Sequence, residues 1–199
     1  MTYELKTYYK KILADTITPV SVYLKIRDKF PNSILLESSD YRANDNTFSY
    51  ICCNPIASIK IKDEKITQLF PDKSVKEIPI NTKTDVVDII HEFSQNFKTE
   101  TNGFKFINNG LFGYMSYDAV RYFEDISISK KNGALDIPDI YYAVYQNIIA
   151  INHFKNEAYI FAHCYDTDNN ISEIEQLLSI RNFASYNFRK EGSASSNLN

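Results

Sequence analysis

Apolar residues recur along the chain at two different spacings, which together predict a mixture of helices and strands. Residues 3–14 carry leucine, isoleucine and tyrosine at helical spacing, and we interpret this stretch as an amphipathic N-terminal helix. A second helix is expected over residues 18–30, because the hydroxyl of Thr18 can cap a helix in which Pro19 takes the first position.

Three later segments also have helical patterns. Residues 84–97 carry the clearest apolar stripe, and Thr84 is the expected cap. A short helix is expected around residues 116–123. A last helix is predicted to begin at Asn170, where Glu173 would complete a capping box.

Strand patterns occupy most of the remaining chain. The predicted strands are residues 33–38, 48–53, 56–61, 65–70, a glycine-punctuated strand at 110–114, 140–151 and 157–163. We expect Asn54-Pro55 to end the second of them and Asp63-Glu64 to form a hairpin turn. The strand at 140–151 is apolar on both faces, which indicates a central position in a sheet.

The order of these elements predicts the fold class. Helices and strands do not alternate strictly, so an α+β fold of mostly antiparallel sheets with flanking helices is expected. We assign residues 1–188 to one domain. Residues 189–199 are small and polar, and we interpret them as a linker.

Composition narrows the range of functions. The 199 residues are 44% hydrophobic and 24% charged, and the net charge of −3 arises from acids and bases mixed along the chain. A basic stripe for nucleic acid is not evident, and neither is an apolar run of membrane-spanning length or a signal peptide. We therefore expect a cytoplasmic protein that binds neither nucleic acid nor membrane.

The three cysteines are expected to be reduced. Cys52 and Cys53 are neighbours in a predicted strand and would point to opposite faces, and Cys164 is distant in sequence. Packing as small hydrophobic side chains is the favoured interpretation.

Known catalytic and metal-binding patterns are mostly absent. The three histidines share no metal-ligand spacing, and the sequence after Asp166 resembles a calcium loop but has Ile171 where glycine is required. Nucleotide-binding and hydrolase motifs do not occur. A Cys–His nucleophile pair stays open, because such residues meet only in space.

Two segments contain more polar chemistry than a fold alone requires. In the first, the strand Leu35-Leu36 ends in Glu37-Ser38, which could bind the ammonium and carboxylate groups of a small zwitterion. On physical grounds alone, a surface acid followed by a turn residue is the favoured alternative.

The second segment begins with glycines at 110 and 113, which permit close backbone approach. Tyr117, Asp118 and Arg121 then fall near one face of the predicted short helix. A structural contact between Asp118 and Arg121 that docks this helix is favoured over contact with a ligand.

Four segments, in order, resemble the N-terminal half of anthranilate synthase component I. They are TPVSVYLK from Thr18, LLES from Leu35, FSYICCNP from Phe48, and GLFGYMSYDAVRYFE from Gly110. Each is weak alone, but the four together are specific to this group of enzymes, and the resemblance spans nearly the whole chain. Many members of this family have arginine and glycine where this chain has Thr47 and Cys52.

The resemblance implies a regulatory role in tryptophan synthesis. Glu37 and Ser38 would contact the amino-acid moiety of the feedback inhibitor L-tryptophan, with Ser39 and Ser49 nearby. Gly113 and the Tyr117–Arg121 segment would be structural or interface residues.

The family's catalytic chemistry is expected outside this chain. The full enzyme converts chorismate and ammonia to anthranilate and pyruvate, with Mg²⁺ and chorismate bound by a C-terminal core and ammonia supplied by a glutamine amidotransferase subunit. The resemblance therefore implies a fragment that has no cofactor and is inactive alone. Two alternatives are the N-terminal domain of aminodeoxychorismate synthase component I and a non-enzymatic binding or scaffold domain.

Overall fold

The computed structural model describes residues 2–37, 47–82, 84–100, 103–126, 128, 137–180 and 192. Within them the strands are β1 Tyr3–Leu13, β2 Ile34–Leu36, β3 Phe48–Lys62, β4 Lys65–Leu69, β5 Val75–Pro79, β6 Phe97–Thr99, β7 Phe112–Met115, β8 Ile140–Asn152 and β9 Glu157–Cys164. The helices are α1 Pro19–Arg27, α2 Val86–Gln95, α3 Ile171–Ser179 and a 3₁₀ helix at Tyr117–Tyr122. The predicted α+β class is confirmed.

One mostly antiparallel sheet contains all of these strands. Its order is β5-β4-β3-β8-β9-β1-β6, with β2 added to β3 and β7 added to β8. Only the short contact between β1 and β6 is parallel among the described strand pairs. As predicted, β8 is central, because β3 lies on one side of it and β7 and β9 lie on the other.

The long strand β3 corrects one prediction. Asn54-Pro55 does not end a strand: β3 continues across it, with a shift in its register against β8 between Pro55 and Ala57. Asn54 has a positive φ of 55°, and its side-chain amide donates to the Oδ1 of Asn147. A β-bulge accommodates the irregular residues that the sequence pattern treated as a break.

The predicted N-terminal helix is wrong, because residues 3–13 form strand β1. Tyr8 and Ile12 pack in the cluster beneath α1 and α3, whereas Tyr9 contacts Phe104 and Phe161 on the other side of the strand. Apolar residues on both faces of a strand mimic helical spacing.

The three α-helices that form agree with the predictions except at their ends. Thr18 and Ser21 form a capping box at α1, which ends at Arg27 rather than at Phe30. The cap of α2 is Asp85, not Thr84.

The start of α3 also differs from the prediction. Asn170 is its N-terminal cap residue but makes no side-chain capping bond. Its side chain bonds to Asn147 instead, while Glu173 pairs with Lys29 at 2.7 Å. The expected capping box at α3 therefore does not form.

Three hydrophobic clusters form the core. Helices α1 and α3 cover one, α2 covers the second, and aromatic residues of the loop 103–111 cover the third. Cys52 and Cys53 belong to different clusters, as expected for neighbours that point to opposite faces. The three cysteines are free and buried, and burial raises the pKa of the Cys53 thiol to about 12.

Two expectations lie partly outside the described residues. Apart from residue 192, the described chain ends at residue 180, so the boundary at 188 and the linker at 189–199 stay predictions. In the part that is described, no helix is long and apolar enough to cross a bilayer.

Candidate functional site

The two segments singled out in the sequence meet in one groove. We name it the β2–β7 groove, and its volume is about 490 Å³. Its lining residues are Asn32, Ser33, Ile34, Leu35, Leu36, Lys60, Gly113, Tyr114, Pro138 and Tyr141. Leu35 and Leu36 of β2 therefore form part of one wall, and Gly113 and Tyr114 of β7 form part of another.

Three adjacent strands supply a row of side chains in this groove. Lys60 of β3 pairs in register with Tyr141 of β8, which pairs in turn with Tyr114 of β7. The two tyrosine rings are 6.3 Å apart between centroids and inclined by 32°. Burial, together with the charge of Asp139, raises the pKa of Tyr114, so its ring carries a neutral hydroxyl at ordinary pH. The row combines aromatic surface with one ammonium group.

Gly113 brings the groove wall close to β8. A Cβ atom at this position would overlap the backbone carbonyl of Tyr141. The predicted close backbone approach is thus present at Gly113, and a larger residue would push β7 away from its neighbour.

Arg121 fastens the 3₁₀ helix to the start of β8. Its Nη2 lies 2.6 Å from the Oδ2 of Asp139, and its Nη1 donates to the backbone carbonyl of Asp118. The Tyr122 hydroxyl donates to the same Asp139 oxygen at 2.9 Å, and burial and this contact raise the pKa of Tyr122 to about 12. The expected contact between Arg121 and Asp118 is present, but it uses the backbone carbonyl of Asp118, and the carboxylate that docks the helix is that of Asp139. Tyr117 is 88% exposed.

The residues expected to bind tryptophan are only partly described. Glu37 is exposed and directly follows Leu36, which lines the groove. Ser38 and Ser39 lie outside the described residues.

Ser49 lies in β3 away from the groove lining. It is 1% exposed, and its Oγ is 2.8 Å from the Nε2 of His153. The backbone N–H of His153 also donates to the carbonyl of Thr47. His153 therefore contacts the beginning of β3 at two points, and the Ser49 side chain provides one of them.

His163 is a buried residue that no sequence motif indicates. Its Nδ1 is 3.0 Å from the Thr7 hydroxyl, and its Nε2 is 2.8 Å from the Asn108 carbonyl. Burial lowers its pKa, so the neutral ring donates from Nε2 and accepts from Thr7. His163 thus fastens the loop that leads into β7.

The described residues provide neither a clustered set of metal ligands nor an activated cysteine. No group of three or more His, Cys, Asp or Glu side chains among them could hold a metal ion. Burial raises the pKa of Cys52, Cys53 and Cys164, which disfavours the thiolate needed for nucleophilic attack.

Comparison with known proteins identifies the family. The family model described as "chorismate binding enzyme" matches residues 32–198. Anthranilate synthase component 1 of Lactococcus lactis subsp. lactis (strain IL1403) is 31% identical over 152 residues, which are 76% of this chain and 31% of that protein. The corresponding protein of Thermus thermophilus is 28% identical over 158 residues, or 79% of this chain and 32% of the relative.

Another relative carries the name of a different enzyme. Aminodeoxychorismate synthase component 1 of Bacillus subtilis is 27% identical over 174 residues, covering 84% of this chain and 35% of that protein. A crystal structure of anthranilate synthase component I from Streptococcus pneumoniae TIGR4 has a TM-score of 0.48 and 21% identity, and the match covers 85% of this chain and 36% of that one. The chain spans about a third of the length of these curated relatives. It belongs to the family of chorismate-binding enzymes and, within that family, is similar to anthranilate synthase component I.

Proposed function

We propose that this chain is the N-terminal regulatory part of an anthranilate synthase component I and that the β2–β7 groove contributes to its tryptophan feedback site. The full enzyme would convert chorismate and ammonia to anthranilate and pyruvate. A glutamine amidotransferase subunit would supply the ammonia, and the catalytic core with its Mg²⁺ would lie beyond this chain.

One observation carries the proposal. Leu35 and Leu36, the first two residues of the LLES motif, are far from Gly113 and Tyr114 in sequence but line the same groove. The groove has the character of a small-molecule site, because its lining is mostly apolar and aromatic with few polar groups. Glu37 is exposed and directly follows Leu36 in the chain.

The chemistry of the groove suits an aromatic amino acid. The indole ring would lie against Tyr114 and Tyr141, where aromatic pairs gain about 0.5–1.5 kcal/mol beyond burial. The carboxylate of Glu37 would accept hydrogen bonds from the ligand's ammonium group, and the hydroxyl of Ser38 would donate to its carboxylate. These contacts would fix the amino-acid end at the rim.

Inhibition would follow from differential binding. Tryptophan would stabilise one placement of this domain against the catalytic core, and chorismate would favour another. Such coupling is reciprocal and typically amounts to about 1–3 kcal/mol, or about 5–150-fold in affinity.

The test is a chimera in which this chain replaces the matched segment of the Lactococcus lactis relative. Glu37→Ala and Ser38→Phe should relieve inhibition by L-tryptophan while leaving the uninhibited rate nearly unchanged. Glu92→Ala, which removes an exposed acid on α2, is the matched control and should keep full inhibition. Parallel loss of activity and inhibition in the Glu37 and Ser38 variants would contradict the proposal.

A second candidate rests on the Bacillus subtilis relative. The chain could instead serve an aminodeoxychorismate synthase, the enzyme named for that relative. A chimera built on the Bacillus protein that makes aminodeoxychorismate, while the Lactococcus chimera makes no anthranilate and ignores tryptophan, would favour this alternative.

A further inference from the structure

In the part of the chain that the structure describes, strand β7 is an apolar sheet edge without the usual protection. Among the described residues it pairs with β8 alone, and its sequence Phe-Gly-Tyr-Met contains no charge and no proline. The terminal strands of the sheet differ: β5 carries Lys76, Glu77 and Pro79, and β6 carries Lys98. Charged residues and proline are the features that commonly prevent an edge strand from pairing with another chain.

A groove lies on each face of β7. Tyr114 lines the β2–β7 groove, and Met115 lines a second groove of about 440 Å³ against α2, which we name the α2–β7 groove. Val87, Leu111 and Phe123 also line this second groove. Tyr114 is 41% exposed and Met115 is 44% exposed. An element that covered this edge would bury apolar surface on both sides of it.

The edge is held in a fixed position. The N–H of Ser116 donates to the carbonyl of Asp139, and Arg121 pairs with the Asp139 carboxylate just beyond the strand. A rigid edge binds a strand at a lower entropic cost than a mobile one.

We propose that the free edge of β7 pairs with an extended strand from the catalytic part of the full-length enzyme. In the matched relatives, this part would lie outside the region that aligns with this chain. The matched relatives carry about two thirds of their length outside the aligned region, which is ample to supply such a strand. Main-chain hydrogen bonds would give affinity, and alternate side chains would enter the α2–β7 groove and close the Tyr114 side of the β2–β7 groove. The inference rests on the proposed function, because the added strand would belong to the catalytic part and would border the inhibitor groove.

Hydrogen–deuterium exchange tests this proposal in the isolated chain and in the Lactococcus chimera. In the isolated chain, the β7 amides that do not bond to β8 should exchange rapidly. In the chimera they should exchange at least about tenfold more slowly, since a paired amide exchanges only when the strand opens.

Met115→Lys is the decisive variant, and Val75→Lys is its matched control. Val75 is 58% exposed on edge strand β5, which neither groove borders. Both variants should keep the urea midpoint of the isolated chain. In the chimera, Met115→Lys should abolish the slow exchange of β7, and Val75→Lys should preserve it.

Several results would overturn the proposal. They are rapid exchange of β7 in a folded wild-type chimera, protection of β7 already in the isolated chain, a dimer of the isolated chain that Met115→Lys dissolves, and failure of the wild-type chimera to fold. Tryptophan inhibition separates the two claims. A protected β7 without inhibition contradicts only the feedback function, and inhibition with an unprotected β7 contradicts only the docking strand.

Discussion

The guanidinium of Arg121 and the carboxylate of Asp139 form an ion pair 2.6 Å long that joins the 3₁₀ helix to the residue before β8. Both side chains are less than a fifth exposed. The backbone of Asp139 also contacts Ile61 and Ser116. This pair therefore connects β3, β7 and β8 where they form the far side of the β2–β7 groove.

Arg121→Ala should destabilise the chain by about 1–3 kcal/mol, because it leaves a largely buried carboxylate without its cation. Asp118→Ala should change stability by less than about 0.5 kcal/mol, since Arg121 contacts only the backbone carbonyl of Asp118. Urea unfolding of the two variants measures the difference. Equal losses would indicate that Arg121 depends on the Asp118 carboxylate after all.

Gly113→Ala should cost about 1–3 kcal/mol or more, because the added methyl group would overlap the carbonyl of Tyr141. The variant should also weaken the β7–β8 pairing, which hydrogen exchange of residues 112–115 would report. Tyr117→Ala serves as the control, since the 88% exposed Tyr117 should contribute little to stability. Unchanged stability in Gly113→Ala would contradict the close approach of the two strands.

His163 should make stability depend on pH. Burial lowers its pKa below the ordinary value, so between the folded and unfolded pKa values the unfolded chain binds more protons. Stability should therefore fall as pH drops below about 6.5, by at most about 1.4 kcal/mol per pH unit, until the folded pKa is reached.

Chemical denaturation at about pH 7.5 and at about pH 5 measures this effect, because these values lie on either side of the ordinary histidine pKa of about 6.5. His163→Gln should be less stable at neutral pH but should lose this component of the pH dependence. His91→Gln is the control, because His91 is exposed on α2 and should leave the profile unchanged. An identical profile in His163→Gln and the wild type would remove His163 as the cause.

The sequence predicted elements best where one face of a segment is buried. The helix α1 with its Thr18 cap and the hairpin of β3 and β4 follow directly from local patterns. Strand β1 did not, because it carries apolar residues on both faces and these fall at helical spacing. Tertiary packing decided between two local alternatives that the sequence pattern could not separate.

The candidate site was predicted in part. The sequence motifs contain four residues that line the β2–β7 groove, but none of the residues predicted to bind tryptophan is in its described lining. The motifs also gave no indication that Lys60 and Tyr141 would line this groove. The Asp139 partner of Arg121 was missed for the same reason, since it is 18 residues away and the nearby Asp118 offered a local alternative. Side-chain partners across strands depend on register, which no local pattern specifies.

The measurement that tests the central claim most directly is a titration of this chain with L-tryptophan, with D-tryptophan as the stereochemical control. The chain contains no tryptophan, so the indole fluorescence of the ligand can be followed without interference from that residue. Tyr114→Ala removes an aromatic wall of the groove, and Tyr117→Ala removes a nearby tyrosine that does not line it.

We expect saturable binding of the L-enantiomer. Tyr114→Ala and Ser38→Phe should weaken this binding by about tenfold or more, which corresponds to about 1.4 kcal/mol or more. Tyr117→Ala should leave the binding unchanged. Absence of saturable binding, equal binding of both enantiomers, or binding indifferent to Tyr114 and Ser38 would contradict the claim that the β2–β7 groove carries part of the tryptophan site.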